Sequence, residues 1–106
     1  MIRHIVLVRF RADITEDVIE SIFGGLTALQ TKLPGILGVT AGRSESPEQM
    51  ERGYMHGFVI DFENWDALDR YARDPDHKAL GAQLVDHAEG GRDGLLVFDL
   101  PVDQVG

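Results

Sequence analysis

The chain has 106 residues, a hydrophobic fraction of 43%, a net charge of −8 and no cysteine, so it suits one cytoplasmic domain without disulfide or thiolate chemistry. Its ten basic residues are scattered, which argues against a nucleic-acid partner because phosphate binding needs a basic patch. No apolar run reaches the roughly 20 residues that span a bilayer, and the first residues do not resemble a signal peptide.

The first half of the domain begins with a strand and a helix. Apolar and polar residues alternate over 2–10, which predicts a strand. Asp13 followed by Glu16 matches a capping box and predicts a helix start, with Thr15 as an alternative cap. Apolar residues then recur at helical spacing until Pro34, where Pro-Gly ends the helix.

Two further strands follow, joined by a polar segment. Residues 36–44 predict a second strand, which Gly38 and Gly42 weaken, and residues 54–62 predict a third. Residues 44–53 form a polar loop between them. This loop is either a plain solvated connection or a cover over a pocket.

The last part of the chain predicts a divided helix and a fourth strand. Asn64 can cap a helix that Asp74 restarts, because aspartate is a good cap and the proline after it suits the first helical position. Gly90-Gly91 ends this helix, and residues 94–100 predict a strand. We therefore place one domain at 1–100 and a frayed C-terminal tail at 101–106.

The order βαββαβ predicts an α+β fold, the ferredoxin-like plait. In it, a four-stranded antiparallel sheet carries two helices on one face. Both faces of the predicted sheet are apolar, although two helices cover only one face. A large exposed apolar patch is rare in monomers, so we predict a homodimer that packs through the face opposite the helices. The residues of that face are Ile5, Leu7, Val59, Leu96, Phe98 and Leu100.

Three histidines lie in apolar segments, where an imidazole needs a hydrogen-bond partner. Strand parity places His4, His56 and Asp99 on the helix side of the sheet, and His77 with Tyr71 lies above them on the helices. Their convergence would make a polar site in an apolar pocket, with Val6, Phe58 and Leu95 as its wall. Taken singly, each polar residue is also compatible with a structural role in the core.

His77 is the candidate base. The helix N-terminus disfavours imidazolium, whereas Asp74 and Asp76 favour it, so the sign of its pKa shift stays open. Tyr71 is a candidate donor to a developing oxyanion. His4, His56 and Asp99 could instead form a two-histidine, one-carboxylate iron site, but the spacing matches no metal motif. A haem would need an axial ligand and a larger cavity, so we predict neither metal nor cofactor.

Four segments together resemble the stress-responsive A/B barrel (Dabb) domain family, in order and over nearly the whole chain. They are Ile2–Phe10, Arg52–Gly57, Tyr71 with Pro75-Asp76-His77, and Leu96–Asp99. The resemblance implies a dimeric α+β barrel, in agreement with the two apolar sheet faces.

The resemblance also implies a range of functions. Most members of the family have no assigned activity, and one branch is a plant polyketide cyclase that closes a poly-β-keto chain without a cofactor. Its base and phenol match His77 and Tyr71, and its supporting groups match His4, His56 and Asp99. Where the family often has His-Pro-x-His, this chain has Asp74 at the first position, which disfavours an anionic substrate. We expect acid–base chemistry on a small keto or phenolic compound, or else a non-catalytic ligand-binding or stress-response dimer.

Overall fold

A computed structural model describes residues 1–103 and confirms the predicted element order, including the division of the second helix at Asp74. The elements are β1 (Ile2–Val8), α1 (Glu16–Lys32), β2 (Ile36–Arg43), β3 (His56–Phe62), α2 (Trp65–Arg73), α3 (Pro75–His87), a 3₁₀ turn (Gly91–Gly94) and β4 (Leu95–Pro101). The predicted tail begins within β4 at Pro101, and its residues 104–106 lie outside the described part of the chain.

The four strands form one antiparallel sheet in the order β2-β3-β1-β4, as in a ferredoxin-like fold. The first strand is shorter than predicted and ends at Val8, while Phe10 forms an isolated bridge with Ala88. In the central strands every second residue is buried and the residues between are half-buried or exposed, so their parity was read correctly.

Side-chain caps fix the helix starts. Thr15, the alternative cap, begins α1 by accepting from the backbone N–H of Val18. Asn64 caps α2 by accepting from the N–H of Ala67. Asp74 both ends α2 and caps α3, because a proline cannot continue the α2 hydrogen-bond pattern. The fold therefore has three helices instead of two.

The core lies between the three helices and the helix side of β1 and β3. Its largest fully buried side chains are Tyr71, Phe62, Leu26, Ile60 and Val8. Gly35 adopts a left-handed backbone at φ +93°, and a Cβ at this position would lie 2.5 Å from the Cβ of Ala67. The turn after α1 consequently packs directly on α2.

The edge strand β4 differs from the centre because it is poorly covered on both faces. Val97 on the helix side is 57% exposed, and Phe98 on the opposite side is 54% exposed. The helices α2 and α3 therefore leave this edge of the sheet open. Within residues 1–103, no helix is both long and apolar enough to cross a membrane.

Candidate active site

A cavity of about 250 Å³ lies at the open edge, between β1 and β4 on one side and α2 and α3 on the other. Six of the eight predicted site residues line it: His4, Val6, Phe58, Tyr71, His77 and Leu95. The other lining residues are Leu68, Ala72, Leu84 and Val97. Two imidazoles and one phenol are thus the polar side chains in an otherwise apolar wall.

The carboxylate of Asp99, which is also a predicted site residue, binds His4. His4 on β1 pairs with Asp99 on β4 in the strand register, and its Nδ1 donates to Asp99 Oδ1 at 2.5 Å. The His4 side chain is 11% exposed and the Asp99 side chain 32% exposed. A carboxylate on Nδ1 holds the proton on that nitrogen, so Nε2 of neutral His4 is left as an acceptor for a ligand.

Tyr71 and His77 are in direct contact, with ring centroids 3.9 Å apart. The Tyr71 hydroxyl and His77 Nδ1 are both buried and have no hydrogen-bond partner of acceptable geometry within residues 1–103. The Tyr71 ring also lies edge-on to His4, at 5.7 Å between centroids. Buried polar atoms without partners are costly in a folded protein, and at a cavity wall they mark positions where a ligand can bind.

Burial sets the charge states of this pair. Desolvation raises the pKa of the Tyr71 hydroxyl, so the phenol keeps its proton and can donate it. Desolvation also lowers the pKa of His77, and repulsion from His4 acts in the same direction. The backbone carbonyls of Tyr71 and Ala72 and the carboxylate of Asp74 oppose this shift but do not reverse it. The pKa of His77 is therefore lowered overall, so its imidazole is neutral at pH 7 and can accept a proton.

The start of α3 explains the placement of His77. Asp74 Oδ2 accepts from the backbone N–H groups of Asp76 and His77, at 3.0 and 3.1 Å. Pro75 occupies the first helical turn, and His77 is the third residue after the cap. A ring in the first turn lies near the positive end of the helix dipole, which also disfavours imidazolium.

His56 does not join the cluster, so the prediction that three histidines converge is wrong. It lies four residues along β3 from Ile60, the partner of His4, which corresponds to about 13 Å. Its Nε2 instead contacts the carboxylate of Glu16, at 2.9 and 3.1 Å. Parity gave the correct face of the sheet but could not separate two positions along it.

The His56 end has its own openings, of about 340 Å³ between α1 and β2 and about 220 Å³ beside the loop after β1. Glu16 and Arg43 line both, with Arg43 Nη1 3.8 Å from Glu16 Oε1. The polar loop 44–53 contributes no residue to the His77 cavity, so it does not cover that site.

The separation of His56 also removes the alternative iron site, since His4 and Asp99 lie together without it. Across residues 1–103, no group of three or more histidine, aspartate or glutamate side chains is placed to hold a metal ion.

Two lining residues outside the predicted site follow from helical spacing. Leu84 lies seven positions after His77 and therefore on the same stripe of α3. Leu68 lies three positions before Tyr71 on α2. Gly81, four positions after His77 on α3, has open space where a Cβ would lie.

The sequence model of the Stress Responsive A/B Barrel Domain matches residues 2–102. The chain belongs to this family.

Two curated relatives and one solved structure extend the comparison. Olivetolic acid cyclase of Cannabis sativa is 26% identical over 98 residues, covering 92% of this chain and 93% of the cyclase. The stress-response A/B barrel domain-containing protein HS1 of Arabidopsis thaliana is also 26% identical over 98 residues, covering 92% and 86%. A dimeric ferredoxin-like protein of unknown function from Jannaschia sp. is 34% identical with a TM-score of 0.89, covering 95% and 98%.

Proposed function

We propose that this chain is a homodimeric enzyme that moves a proton next to the carbonyl group of a small uncharged keto compound, without a cofactor. The observation that carries the proposal is the contact of the His77 imidazole with the Tyr71 phenol, whose ring centroids are 3.9 Å apart at the wall of an apolar cavity. Burial favours the uncharged form of both side chains. This arrangement supplies the base and the oxyanion donor that such a reaction requires.

The chemistry assigns one role to each polar wall residue. His77 removes a proton from the carbon next to the carbonyl, and the C–H electron pair forms an enolate. Tyr71 donates a hydrogen bond to the enolate oxygen. In a ring closure, the enolate carbon attacks a second carbonyl, and the imidazolium returns its proton to the new alkoxide. His4, oriented by Asp99, accepts a hydroxyl of the ligand through Nε2.

The cavity supports a small and uncharged ligand. At about 250 Å³ it lies below the roughly 300–1,000 Å³ that is usual for drug-sized pockets. None of the ten described wall residues is a lysine or arginine that could bind an anionic group. The similarity to a plant cyclase favours cyclisation of a keto compound over other reactions of the same kind.

A direct test uses acetophenone, a small aryl methyl ketone, in heavy water, with methyl deuteration followed by NMR. We expect the protein to accelerate exchange and His77→Gln to reduce the acceleration by at least about 10²-fold, the contribution of a general base. His56→Gln, a histidine substitution outside the cavity, is the matched control and leaves exchange unchanged. Exchange no faster than in buffer would contradict the proposed enzyme.

A non-catalytic binding module is the second candidate, and the dominance of apolar side chains in the wall favours it. In that case the protein would protect or bind an apolar phenol or ketone without promoting exchange. Saturable acetophenone binding to both the native protein and His77→Gln, with no deuteration in either, would establish this alternative.

The homodimer is supported by the uncovered sheet face and by the dimeric Jannaschia relative. Phe98→Asp places a charge in that face twice because a two-fold interface repeats each residue. We expect the dissociation constant to rise by about 30-fold or more, as for a central apolar contact. Val97→Asp, next to it on the opposite face and equally exposed, leaves the dimer intact. Light scattering that shows a monomeric native protein would contradict the dimer.

The remaining predictions concern other partners and the location of the protein in the cell. The net charge of −8 favours neither nucleic acid nor an anionic membrane surface as a partner. A cytoplasmic location and a role in stress stay predictions.

A further inference from the structure

Tyr71 and His77 are carried by different helices, so their contact depends on the joint between α2 and α3. Asp74 forms this joint with its backbone and its side chain. Its N–H donates to the carbonyl of Tyr71 at 3.1 Å and ends α2, while its Oδ2 accepts from the N–H of His77 and begins α3. The position of Asp74 therefore fixes where the Tyr71 ring lies relative to the His77 ring.

The other oxygen of Asp74 is bound from a third helix. Lys32, the last residue of α1, donates from Nζ to Asp74 Oδ1 at 2.9 Å and to Asp76 Oδ2 at 2.6 Å. The Asp74 side chain is only 8% exposed, so few water molecules can replace this partner. The negative end of α1 and the positive end of α3 meet here, and each carries the charge that its helix dipole favours.

We propose that Lys32 is a positioning residue for the proposed reaction: by binding Asp74 it holds the α2–α3 joint and keeps the Tyr71 and His77 rings together in the cavity. This inference rests on the proposed function of the site for its catalytic consequence, but its structural content is independent of turnover. Lys32 is not a lining residue of the cavity and does not contact the reacting atoms.

The electrostatics of the joint give this role a distinct signature. Lys32 holds the pKa of Asp74 below its ordinary value, and the two carboxylates raise the pKa of Lys32. His77 faces His4 from β1, Tyr71 from α2 and Asp74 from its own helix start. Without Lys32 the Asp74 carboxylate acts on His77 uncompensated, and the loosened joint admits water to the ring. Both changes raise the pKa of His77.

The experiment is an NMR titration of the His77 ring in the full-length protein and in Lys32→Met. We expect the pKa of His77 to rise in Lys32→Met, the N–H groups of Asp76 and His77 to exchange faster, and acetophenone deuteration to fall about tenfold, since misplacing a catalytic group by 1 Å can lower a rate by as much as 10². Lys32→Arg retains the ion pair and restores all three readouts. Lys78→Met, which removes an exposed lysine next to His77 in sequence, is the matched control.

The outcomes separate this inference from the proposed function. An unchanged His77 titration in Lys32→Met, or an equal shift in Lys78→Met, overturns the positioning role even if the native protein deuterates acetophenone. If the native protein catalyses no exchange, the enzyme proposal fails, and the titration and amide exchange still decide whether Lys32 holds the joint.

Discussion

His4 and His56 lie on the same face of the sheet, are equally buried at 9% exposure, and each bonds to a carboxylate. Their surroundings nevertheless differ. Asp99 binds His4 from the neighbouring strand, and the ring lines a cavity together with a phenol and a second imidazole. Glu16 binds His56 from the exposed start of α1, and the nearest ring is that of Phe10, at 5.4 Å.

Burial and a carboxylate partner are therefore shared by a histidine inside the candidate site and by one outside it. What distinguishes the His4 end is the presence of further polar atoms without partners in the same small volume, namely those of Tyr71 and His77. At the His56 end, the ring is one member of a half-exposed charged group with Glu16 and Arg43. Three predictions test this contrast, and a fourth tests the burial of His77.

The largest expected effect concerns the aromatic neighbour of each histidine. Tyr71→Phe removes the oxyanion donor and should reduce acetophenone deuteration by about 10²-fold. Because the buried Tyr71 hydroxyl has no hydrogen-bond partner in the described part of the chain, its loss should leave the melting temperature unchanged or higher. Phe10→Leu, the matched change beside His56, should leave deuteration unchanged. A Tyr71→Phe protein with native activity would remove the phenol from the mechanism.

The second prediction concerns the two carboxylates and the free energy of unfolding. Asp99→Ala leaves a buried imidazole without its charged partner and should cost about 2 kcal/mol. Glu16→Ala affects a pair whose carboxylate is 56% exposed, and should cost under about 1 kcal/mol. Asp17→Ala also removes an acidic residue from the first turn of α1. Its free energy of unfolding shows how much of the Glu16→Ala loss comes from the helix dipole alone. Urea denaturation measures all three, and equal losses for Asp99→Ala and Glu16→Ala would contradict the contrast.

The third prediction compares the histidines themselves. His4→Gln removes one ligand hydrogen bond and should weaken acetophenone deuteration by about tenfold, equivalent to about 1.4 kcal/mol. His56→Gln should have no effect on the same rate. The prediction is tested by comparing the initial deuteration rates of both variants with the rate of the native protein. Equal reductions would mean that the two ends of the sheet act as one site.

The smallest expected effect is a pH dependence of stability. The pKa of His77 is lower in the folded protein than its ordinary value, so the unfolded chain binds more protons as the pH falls below about 6.5. The contribution of neutral His77 is therefore complete above that pH and is lost towards acid. His77→Gln should decrease the slope of unfolding free energy between pH 7.5 and 5, as urea denaturation across that range would measure. Identical slopes for native and His77→Gln would contradict the burial effect.

The sequence by itself determined the element order, the caps at Asn64 and Asp74, and the buried face of each central strand. These features follow from local chemistry: a side-chain oxygen satisfies the first backbone N–H groups of a helix, and successive strand residues point to opposite faces. The same local patterns, together with the family resemblance, placed Tyr71, His77 and His4 near one another. They also gave Asp99 as a supporting group, which the strand register then matched to His4.

Only the tertiary structure decided the rest, because it depends on where distant segments meet. Parity fixes a face but not a position along a strand, so the separation of His56 from His4 was not readable from spacing. The pKa of His77 depended on its desolvation in the packed helix layer, which outweighed the neighbouring acids. Lys32 and Asp74 are 42 positions apart, and no periodicity connects the end of one helix with the joint between two others.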